Sequence, residues 1–351
     1  MIRYLIADDL TGAADASVHF AGGREVQIIF PNRNPSSLPT GWGAQGWGDP
    51  PAKRLSVHDT ETRELPPDEA EAVVSMACQG LGAGVFKKVD STLRGPVAAE
   101  LEAARLALGR SAVVLAPSLP AEGRTVRAGR LLVHGVDVGS VADIVGVAAP
   151  QVPIEALAGD SLAPLVVVDA STDADLDRVA AACDRRADLL PAGSAGLAAA
   201  FARLEGFAAP TAVPAARHVL VAVASRHPTA RVQLSLVGFE PHPQIEVAAV
   251  PRDPQGHPAE VVAAIGRDVA DRATHLGDGV VVLATGGEMA LAVCRALGIE
   301  SIWPRAEVLP GVVWSGTDRD GLTIATKAGG FGGPRLLLDA ALKLLGMDAV
   351  G

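Results

Sequence analysis

Cysteine, aromatic residues and long apolar runs are all scarce in this chain of 351 residues. The three cysteines (Cys78, Cys183 and Cys294) are isolated, so they provide neither a disulfide framework nor a metal-binding spacing. We expect them to be buried thiols in a reducing compartment. Aromatic residues make up only 3% of the chain, so the core must consist of Ala, Val and Leu. No apolar run approaches the ~18 residues of a membrane-spanning helix.

Positive charge is also in short supply. The formal net charge is −10 and the isoelectric point is near 5.3, which argues against nucleic acid or an anionic membrane as a partner. Anionic small substrates are still compatible with this balance, because local basic clusters decide their binding. Asp8 and Asp9 come too early for a signal peptide. The sequence therefore predicts a soluble, cytoplasmic protein.

Short apolar segments alternate with helical ones along the chain, which indicates mainly parallel sheets with right-handed crossovers. Residues 31–54 are rich in Pro, Gly and Trp and are predicted to form a loop. The predicted strands are 2–7, 26–30, 55–58, 85–86, 112–116, 165–168, 219–224, 244–250, 279–284 and 322–326. The predicted helices are 12–20, 66–81, 97–108, 173–185, 259–272, 288–297 and 333–345.

The length of the chain favours about two domains of ~150 residues. Residues 206–217 contain two prolines and no apolar period, so we interpret them as the linker. The sequence therefore predicts an α/β protein with domains 1–210 and 211–351, each a mainly parallel sheet flanked by helices.

The most informative segment is 84–95, where a run of polar residues separates a short strand from a helix. Lysines, an aspartate, two hydroxyls and an arginine lie between Lys87 and Arg94. Open α/β sheets bind ligands outside the carboxyl ends of their strands, which is where this run is predicted to lie. The guanidinium of Arg94 could bind a carboxylate or phosphate, and the lysines could supply mobile point charges. The alternative is a solvated loop with local Asp–Arg pairing.

Paired carboxylates follow the first predicted strand, in Asp8-Asp9-Leu10-Thr11-Gly12. They could hold a divalent cation, accept a hydroxyl proton or bind sugar hydroxyls, and one of them could simply cap the following helix. A haloacid-dehalogenase site needs aspartates two positions apart, and Leu10 stands at that place. A receiver domain of ~120 residues would leave most of the chain unexplained.

Three other segments of the first half carry weaker signals. Asp59 and Arg63 could be a second polar strand end or a surface ion pair. Residues 122–125 form either a compact polar loop or an exposed turn. Residues 193–197 are not a nucleophile elbow, because Ala192 stands where that motif needs glycine. Their small side chains are expected to let a helix begin close to the sheet.

In the second half, three polar or Gly-rich loops follow predicted strands, at 225–229, 284–288 and 326–333. Glycines at the start of a helix expose main-chain N–H groups that can bind phosphate, although tight turns need glycine as well. The chain has neither a Walker A motif nor a Gly-x-Gly-x-x-Gly after a strand, so any nucleotide is bound by a different device.

Taken together, these segments resemble the four-carbon acid sugar kinase family. The similar motifs are Ile-Ala-Asp-Asp-x-Thr-Gly, Asp-Ser-Thr-Leu-Arg-Gly, Pro-x-x-Gly-Arg-Thr, Gly-Ser-Ala-Gly-Leu, a Ser turn before Pro-x-Thr, Gly-Gly-Glu and Lys-x-Gly-x-Phe-Gly. They lie in order at 6–12, 90–95, 120–125, 193–197, 225–229, 286–288 and 327–332. The resemblance implies two α/β domains with a ligand cleft between them, the first binding a four-carbon sugar acid and the second ATP.

The resemblance further implies ATP-dependent phosphorylation of the terminal hydroxyl of a sugar acid of 3-oxo-tetronate, threonate or erythronate type. Asp9 is the preferred acceptor of the hydroxyl proton and Asp8 its partner or a Mg²⁺ contact, and the opposite assignment is left open. The expected sugar-acid contacts are Thr11, Asp59, Arg63, Lys87, Lys88, Asp90, Ser91, Arg94 and Arg124. The expected nucleotide contacts are Ser225, Gly286, Gly287, Glu288, Met289, Lys327, Gly329 and Gly330.

ATP and Mg²⁺ are the expected cofactors, with the metal ligands unassigned, and a homodimer is a further expectation. An alternative hypothesis is a catalytically silent ligand- or nucleotide-binding protein derived from such a kinase. It is motivated by Arg226 and His227, which replace small residues of the family, and by Gly-Val-Asp-Val-Gly-Ser at 135–140 in place of a family His-Pro-x-Thr-Pro-Met segment.

Overall fold

The computed structural model describes residues 1–31, 53–159, 161–225, 227–249 and 257–347. Most of the loop predicted at 31–54 therefore lies outside the described residues. The chain divides into two units, Met1–Val26 with Phe30–Ala208 and Gln27–Ile29 with Ala209–Gly351. The boundary between Ala208 and Ala209 falls inside the Pro-containing segment 206–217. Among the described residues, none of the helices combines the length and apolar character needed to cross a membrane.

The described strands and helices of the first unit follow the predicted alternation, with additions. Its strands are β1 (Tyr4–Ala7), β2 (Glu25–Ile29, partly in the second unit), β3 (Arg54–Asp59), β4 (Val85–Lys88), β5 (Ala112–Ala116), β6 (Arg124–Arg127), β7 (Arg130–Val133), β8 (Val136–Ser140), β9 (Gln151–Val152), β10 (Leu165–Val168) and β11 (Leu189–Gly193). Its helices are α1 (Leu10–Ser17), α2 (Pro67–Cys78), α3 (Val97–Ala107), α4 (Val141–Val145), α5 (Asp173–Asp184) and α6 (Ala195–Leu204).

The second unit has the same kind of alternation. Its strands are β12 (His218–Val223), β13 (Ile245–Ala249), β14 (Val280–Thr285), β15 (Ser301–Leu309), β16 (Val312–Thr317) and β17 (Leu322–Lys327). Its helices are α7 (Pro228–Phe239), α8 (Pro258–Leu276), α9 (Gly287–Leu297) and α10 (Leu336–Leu344). The α/β class is confirmed, with mainly parallel strand pairs flanked by helices.

In the first unit, the strands run in the order β3-β1-β4-β11-β5-β10-β9, and all these pairs are parallel. β1 lies between β3 and β4, so the chain leaves β1 toward one side of the sheet and later returns to its other side. Such a reversal of strand order opens a crevice at the carboxyl ends of the strands. The residues after β1, β3 and β4 therefore lie at the same edge.

The close approach predicted for 193–197 is present at the start of α6. A Cβ added to Gly193 would lie 2.4 Å from the carbonyl oxygen of Ala116, and one added to Gly196 would lie 2.7 Å from that of Ser118. Any larger side chain would have to displace main-chain atoms. The small residues thus bring the helix onto the sheet, as the sequence predicts.

In the second unit, β13, β12, β14 and β17 are parallel neighbours, and β16 and β15 add antiparallel strands beside β17. Residues Ile28 and Ile29 of β2 pair antiparallel with Ile302 and Ser301 of β15. The sequence did not predict β15 and β16, nor helix α7. The ends of β12, β14 and β17 come together and carry the three predicted loops.

The polar loop predicted at 122–125 is wrong. A short 3-10 turn covers Pro120–Glu122, and Arg124 begins a three-stranded antiparallel sheet of β6, β7 and β8. Two-residue turns join these strands at 128–129 and 134–135, with positive φ angles of 49° and 69° at the first and 49° and 80° at the second. Positive φ at both central residues matches the twist of a hairpin. The segment 135–140 thus supplies β8.

Candidate functional site

The two aspartates after β1 have different surroundings. Asp9 is the N-cap of α1, because its Oδ1 accepts the N–H of Gly12 at 2.8 Å and its Oδ2 accepts the hydroxyl of Thr11 at 2.7 Å. Asp8 is only 2% exposed, and its Oδ1 accepts no hydrogen bond from any described residue. The pair therefore combines one carboxylate used for capping with one that has an unused, buried oxygen.

Arg63, from the loop after β3, joins the two aspartates. Its Nε donates to Asp8 Oδ2 and its Nη2 to Asp9 Oδ1, both at 2.8 Å. Burial alone would raise the pKa of Asp8, but the charges of Arg63 and Lys88 outweigh it and lower the pKa. Arg63 therefore does not pair with Asp59. Instead it fixes both carboxylates and stays mostly buried, with 12% of its side chain exposed.

Asp59, at the end of β3, is fully buried. Its Oδ1 accepts the N–H of Glu61 at 3.1 Å, and its Oδ2 has no hydrogen-bond partner among the described residues. Burial raises its pKa well above the usual value, and the charges of Glu61 and Asp9 raise it further. Burial and the neighbouring carboxylates therefore disfavour the charged form of Asp59.

Lys87 and Lys88 belong to strand β4 rather than to the loop that we predicted, and they face opposite sides of the sheet. Lys87 Nζ lies 2.6 Å from Glu100 Oε2 of α3, with both side chains buried. Val85 of the same strand and Val89, which follows it, pack in the core that includes residues of α3. Lys87 is thus used in a buried ion pair, and its predicted contact with the sugar acid stays a prediction.

Lys88 faces the first turn of α1. Its Nζ donates to the carbonyl oxygen of Val89 at 2.9 Å, and it forms no ion pair with any described residue. A Cβ on Gly12 would lie 2.8 Å from this Nζ and 2.6 Å from Asp9 Oδ1, so the absence of a side chain at Gly12 makes room for both groups. With 4% of its surface exposed, Lys88 is a buried ammonium beside the aspartates.

The loop after β4 contains the local pairing that we considered as the alternative. Asp90 accepts two hydrogen bonds from Arg94, Nε to Oδ2 at 3.1 Å and Nη2 to Oδ1 at 2.6 Å. Burial would raise the pKa of Asp90, but these bonds and the charge of Arg63 hold it far below its usual range. Arg94 remains 62% exposed, so its outer face is still available. Arg124, at the start of β6, donates to the hydroxyl of Ser91.

The cluster at the edge of the first unit therefore combines cationic side chains with carboxyl groups. Its cationic side chains are Arg63, Lys88, Arg94 and Arg124, and its carboxyl groups are Asp8, Asp9, Asp59 and Asp90. A small anion that also carries hydroxyl groups would complement both Lys88, which forms no ion pair with a described residue, and the unused carboxyl oxygens.

The site of the second unit is made mainly of backbone. Gly286 caps α9 without a side chain, at a φ of 94°, and its N–H donates to the carbonyl oxygen of Lys327 at 2.7 Å. The first N–H groups of a helix have no acceptor within it, so those of α9 are available to an anion. Glu288 is exposed, whereas Met289 is buried. Only the main chain of Met289 could therefore contact a nucleotide.

The other two loops lie against each other. A Cβ on Gly329 would lie 2.8 Å from Ser225 Oγ, and one on Gly330 would lie 3.1 Å from the imidazole of His227. Lys327 is fully buried, and its Nζ donates to the carbonyl oxygen of Ala328 at 2.7 Å. The ammonium group of this lysine therefore contacts the main chain of the loop that follows it. Arg226 lies outside the described residues.

Sequence reasoning missed several polar residues that shape these loops. Thr60 donates its hydroxyl to the carbonyl oxygen of Ala7 at 2.7 Å and so holds the loop after β3 against β1. Gln233 of α7 is buried and donates to the Gly-rich loop after β17. A glutamine among the apolar positions of a helix would have been a signal, but α7 itself was not predicted.

Two cavities of about 280 and 410 Å³ lie beside α5, around Ile154, Glu155 and Arg178. None of the predicted site residues lines them. We therefore assign the candidate site to the strand ends and not to these cavities.

The chain matches the family described as a sugar-binding N-terminal domain over residues 4–154 and the one described as a nucleotide-binding C-terminal domain over residues 246–337. It is 35% identical to a D-threonate kinase of Bordetella bronchiseptica, with 96% of each chain aligned. It is 29% identical to a 3-oxo-tetronate kinase of Cupriavidus necator, over 97% of this chain and 96% of that one. The architecture is thus that of a two-domain sugar kinase.

The structure of Haemophilus influenzae protein HI1011 has the same fold, with a TM-score of 0.69, 20% identity, and 97% of this chain and 100% of that chain covered. The chain belongs to the four-carbon acid sugar kinase family, as its ordered motifs predicted. It is therefore a kinase with a nucleotide-binding C-terminal domain.

Proposed function

We propose that this enzyme transfers the terminal phosphoryl group of ATP to the terminal hydroxyl of a four-carbon sugar acid of threonate, erythronate or 3-oxo-tetronate type. One observation carries the proposal. Among the described residues, the buried ammonium of Lys88 has no carboxylate partner, and it lies in the same cluster as Asp8 Oδ1, a buried carboxylate oxygen to which none of them donates. A hydroxy acid supplies the complement of both groups, a carboxylate and hydroxyl hydrogens.

We assign Asp8 as the acceptor of the substrate hydroxyl and Asp9 as its positioning partner. The sequence alone favoured Asp9, but both oxygens of Asp9 are used by Gly12, Thr11 and Arg63. Asp8 has one oxygen free for a new hydrogen bond. Phosphoryl transfer depends mostly on positioning and charge neutralisation, so a carboxylate with a lowered pKa is sufficient for this role.

The remaining groups of the cluster would orient the sugar acid. Lys88 would bind its carboxylate, together with the outer face of Arg94. Asp59 would form a hydrogen bond to a substrate hydroxyl through its Oδ2, which has no partner among the described residues. Ser91 and Arg124, which are hydrogen-bonded to each other, would line the same loop.

In the second unit, the N-terminus of α9 and the loop around Gly329 and Gly330 would bind the phosphates of ATP, with Ser225 beside them. The described residues contain no group of three or more His, Cys, Asp or Glu side chains that could hold a metal ion. Mg²⁺ is commonly held by one or two carboxylates together with substrate phosphates. Its protein ligands stay unassigned, because the free oxygen of Asp8 is given to the substrate hydroxyl in this proposal, and the ion would neutralise charge on the phosphates.

The proposal is tested by following ADP formation with ATP and a panel of D-threonate, D-erythronate and 3-oxo-tetronate, and by locating the phosphate in the product by NMR. We expect turnover of at least one acid and a phosphate on its terminal oxygen. Binding of acid and ATP without turnover would instead support the silent binding protein, and an absence of binding would overturn both readings.

A homodimer and a cytoplasmic location complete the proposal. Light scattering on the purified chain measures the mass in solution, and a monomer at micromolar concentration would contradict the dimer. Fractionation of cells that express the chain tests the location.

A further inference from the structure

A buried glutamine outside the predicted site contacts the Gly-rich loop of the second unit. Gln233 is fully buried in α7, and its Nε2 lies 2.9 Å from the carbonyl oxygen of Phe331, 3.3 Å from that of Gly332 and 2.8 Å from that of Gly333. One amide group thus meets three consecutive carbonyls about 100 residues further along the chain.

These contacts determine which way the loop presents its N–H groups. The described peptide bonds are trans, so the N–H of each residue points away from the carbonyl oxygen of the residue before it. With the carbonyls of Phe331 and Gly332 turned toward Gln233, the N–H groups of Gly332 and Gly333 point to the opposite side. No backbone carbonyl of the described residues accepts either of them. Successive N–H groups that point the same way form a concave site for anions.

The arrangement costs stability, which argues against a purely structural role. Gln233 Oε1 is buried and accepts no hydrogen bond from the described residues. An unsatisfied buried acceptor destabilises the folded chain, whereas Leu or Met would fill a similar volume without leaving one. The benefit of the amide therefore lies in what its N–H groups do to the loop.

We propose that Gln233 is a positioning residue for nucleotide binding, which turns the carbonyls of residues 331–333 inward so that the N–H groups of Gly332 and Gly333 face the phosphates. The inference rests on the proposed function, because it takes the second unit as the ATP-binding part. Gln233 itself does not touch the nucleotide.

The test compares Gln233→Met with Val237→Ala in the full-length chain. Val237 is buried on the same helix, one turn further on, and packs in the core of the second unit without a hydrogen bond to the loop. Val237→Ala should lower the melting temperature, whereas Gln233→Met, which also removes the unsatisfied oxygen, should change it little. Only Gln233→Met should raise the KM and the calorimetric Kd for ATP, by about ten- to a hundredfold for one or two lost hydrogen bonds. The KM for the sugar acid should stay unchanged.

Hydrogen exchange on the unaltered chain gives a second measurement if the Met variant fails to fold. ATP should slow the exchange of the amides at residues 329–333. Equal ATP affinity in the parent and Gln233→Met, equal weakening in both variants, or no protection of the loop would overturn the inference. A parent chain that binds no ATP would overturn the proposed function itself, and this inference with it.

Discussion

The two candidate sites both lie at the carboxyl ends of parallel strands, but different chemical groups form them. At the edge of the first unit, charged side chains such as Asp8, Arg63 and Lys88 are buried against one another. At the corresponding strand ends of the second unit, glycines and main-chain groups dominate, and the cation of Lys327 is turned toward carbonyl oxygens. On the proposed assignment, a small hydroxy acid is recognised by side-chain charges, and the phosphates of a nucleotide by oriented N–H groups.

This difference predicts which substitutions should impair each site. Substitutions that change charge should damage the first site, because its groups balance one another in a buried setting. The second site should tolerate loss of charge but not a change in the path of its loops. The predictions below test this contrast, from the largest expected effect to the smallest.

The largest effect is expected for Asp8→Asn, which keeps the shape of the side chain but removes its charge. Turnover with saturating substrates should fall by about two to four powers of ten, as is usual for a positioned base. Asp9→Asn should lose less, because Asn caps a helix about as well as Asp. Steady-state rates and melting temperatures of both variants measure the difference.

The control is Asp175→Asn, which weakens the capping box of α5 in the same unit but outside the cluster. It should lower stability slightly and leave turnover intact. If Asp9→Asn proved much slower than Asp8→Asn, the roles that we assign to the two aspartates would have to be exchanged.

The adjacent lysines should respond in opposite ways. Lys87→Met leaves Glu100 buried without its partner, so the free energy of unfolding should fall by about 3–5 kcal/mol. Lys88→Met removes an ammonium that forms no ion pair with a described residue, so stability should fall less than in Lys87→Met. The KM for the sugar acid should instead rise by about ten- to a hundredfold, the value of a charge-assisted hydrogen bond.

Urea denaturation and substrate kinetics on both variants separate the two roles. Restoring the stability of Lys87→Met by adding Glu100→Leu would confirm that the loss comes from the unpaired carboxylate. A destabilised Lys88→Met with normal KM would show that Lys88, too, is structural.

The first unit should also be sensitive to acid through His58. Burial lowers the pKa of this histidine from 6.5 to about 4, so the unfolded chain binds a proton before the folded one does. Stability should therefore fall as the pH falls from about 6.5 to about 4, and the contribution of His58 to the loss between pH 7.5 and 5 should be about 2 kcal/mol. His19, whose pKa burial also lowers to about 4, adds to this loss.

His58→Gln removes the titrating group and should flatten this part of the pH dependence. Urea denaturation at the two pH values, in the parent and the variant, measures it. An identical loss in both proteins would mean that other groups cause the acid sensitivity.

The smallest effect is expected in the second unit. A Cβ on Gly329 would lie 2.8 Å from Ser225 Oγ, so Gly329→Ala must shift one of the two loops. We expect a KM for ATP about three- to tenfold higher, equivalent to about 1 kcal/mol, with an unchanged KM for the sugar acid.

Gly238→Ala, near the end of α7, is the matched control, because its Cβ would meet no atom within 4 Å, its φ is not positive and it lies outside the three loops. It should bind ATP like the parent. If both alanine variants behaved alike, the fit between residues 225 and 329 would not matter for the nucleotide.

Much of the fold followed from periodicity alone. Fully apolar segments such as 112–116 and 165–168 were predicted with their observed bounds, because buried parallel strands are apolar on both faces. The antiparallel additions β6 to β8, β15 and β16 were missed. Some of these strands, such as β15, alternate buried with more exposed residues, and others are joined by turns with positive φ, such as Ala128-Gly129. Such segments become strands only through pairing with their neighbours in the sheet, which their own sequence does not show.

Within the site, sequence by itself determined which residue types follow β1, β3 and β4. The extension of β4 through Lys87 and Lys88, which turns them to opposite sides of the sheet, was not predicted. Only the tertiary structure decided which of them meets Glu100, that Arg63 joins Asp8 and Asp9 rather than Asp59, and that Gln233 reaches the loop after β17. The physical reason is the separation along the chain of the residues that interact. Propensity and capping act between residues a few positions apart, whereas ion pairs and burial depend on elements distant in the chain that the packing of the sheet brings together.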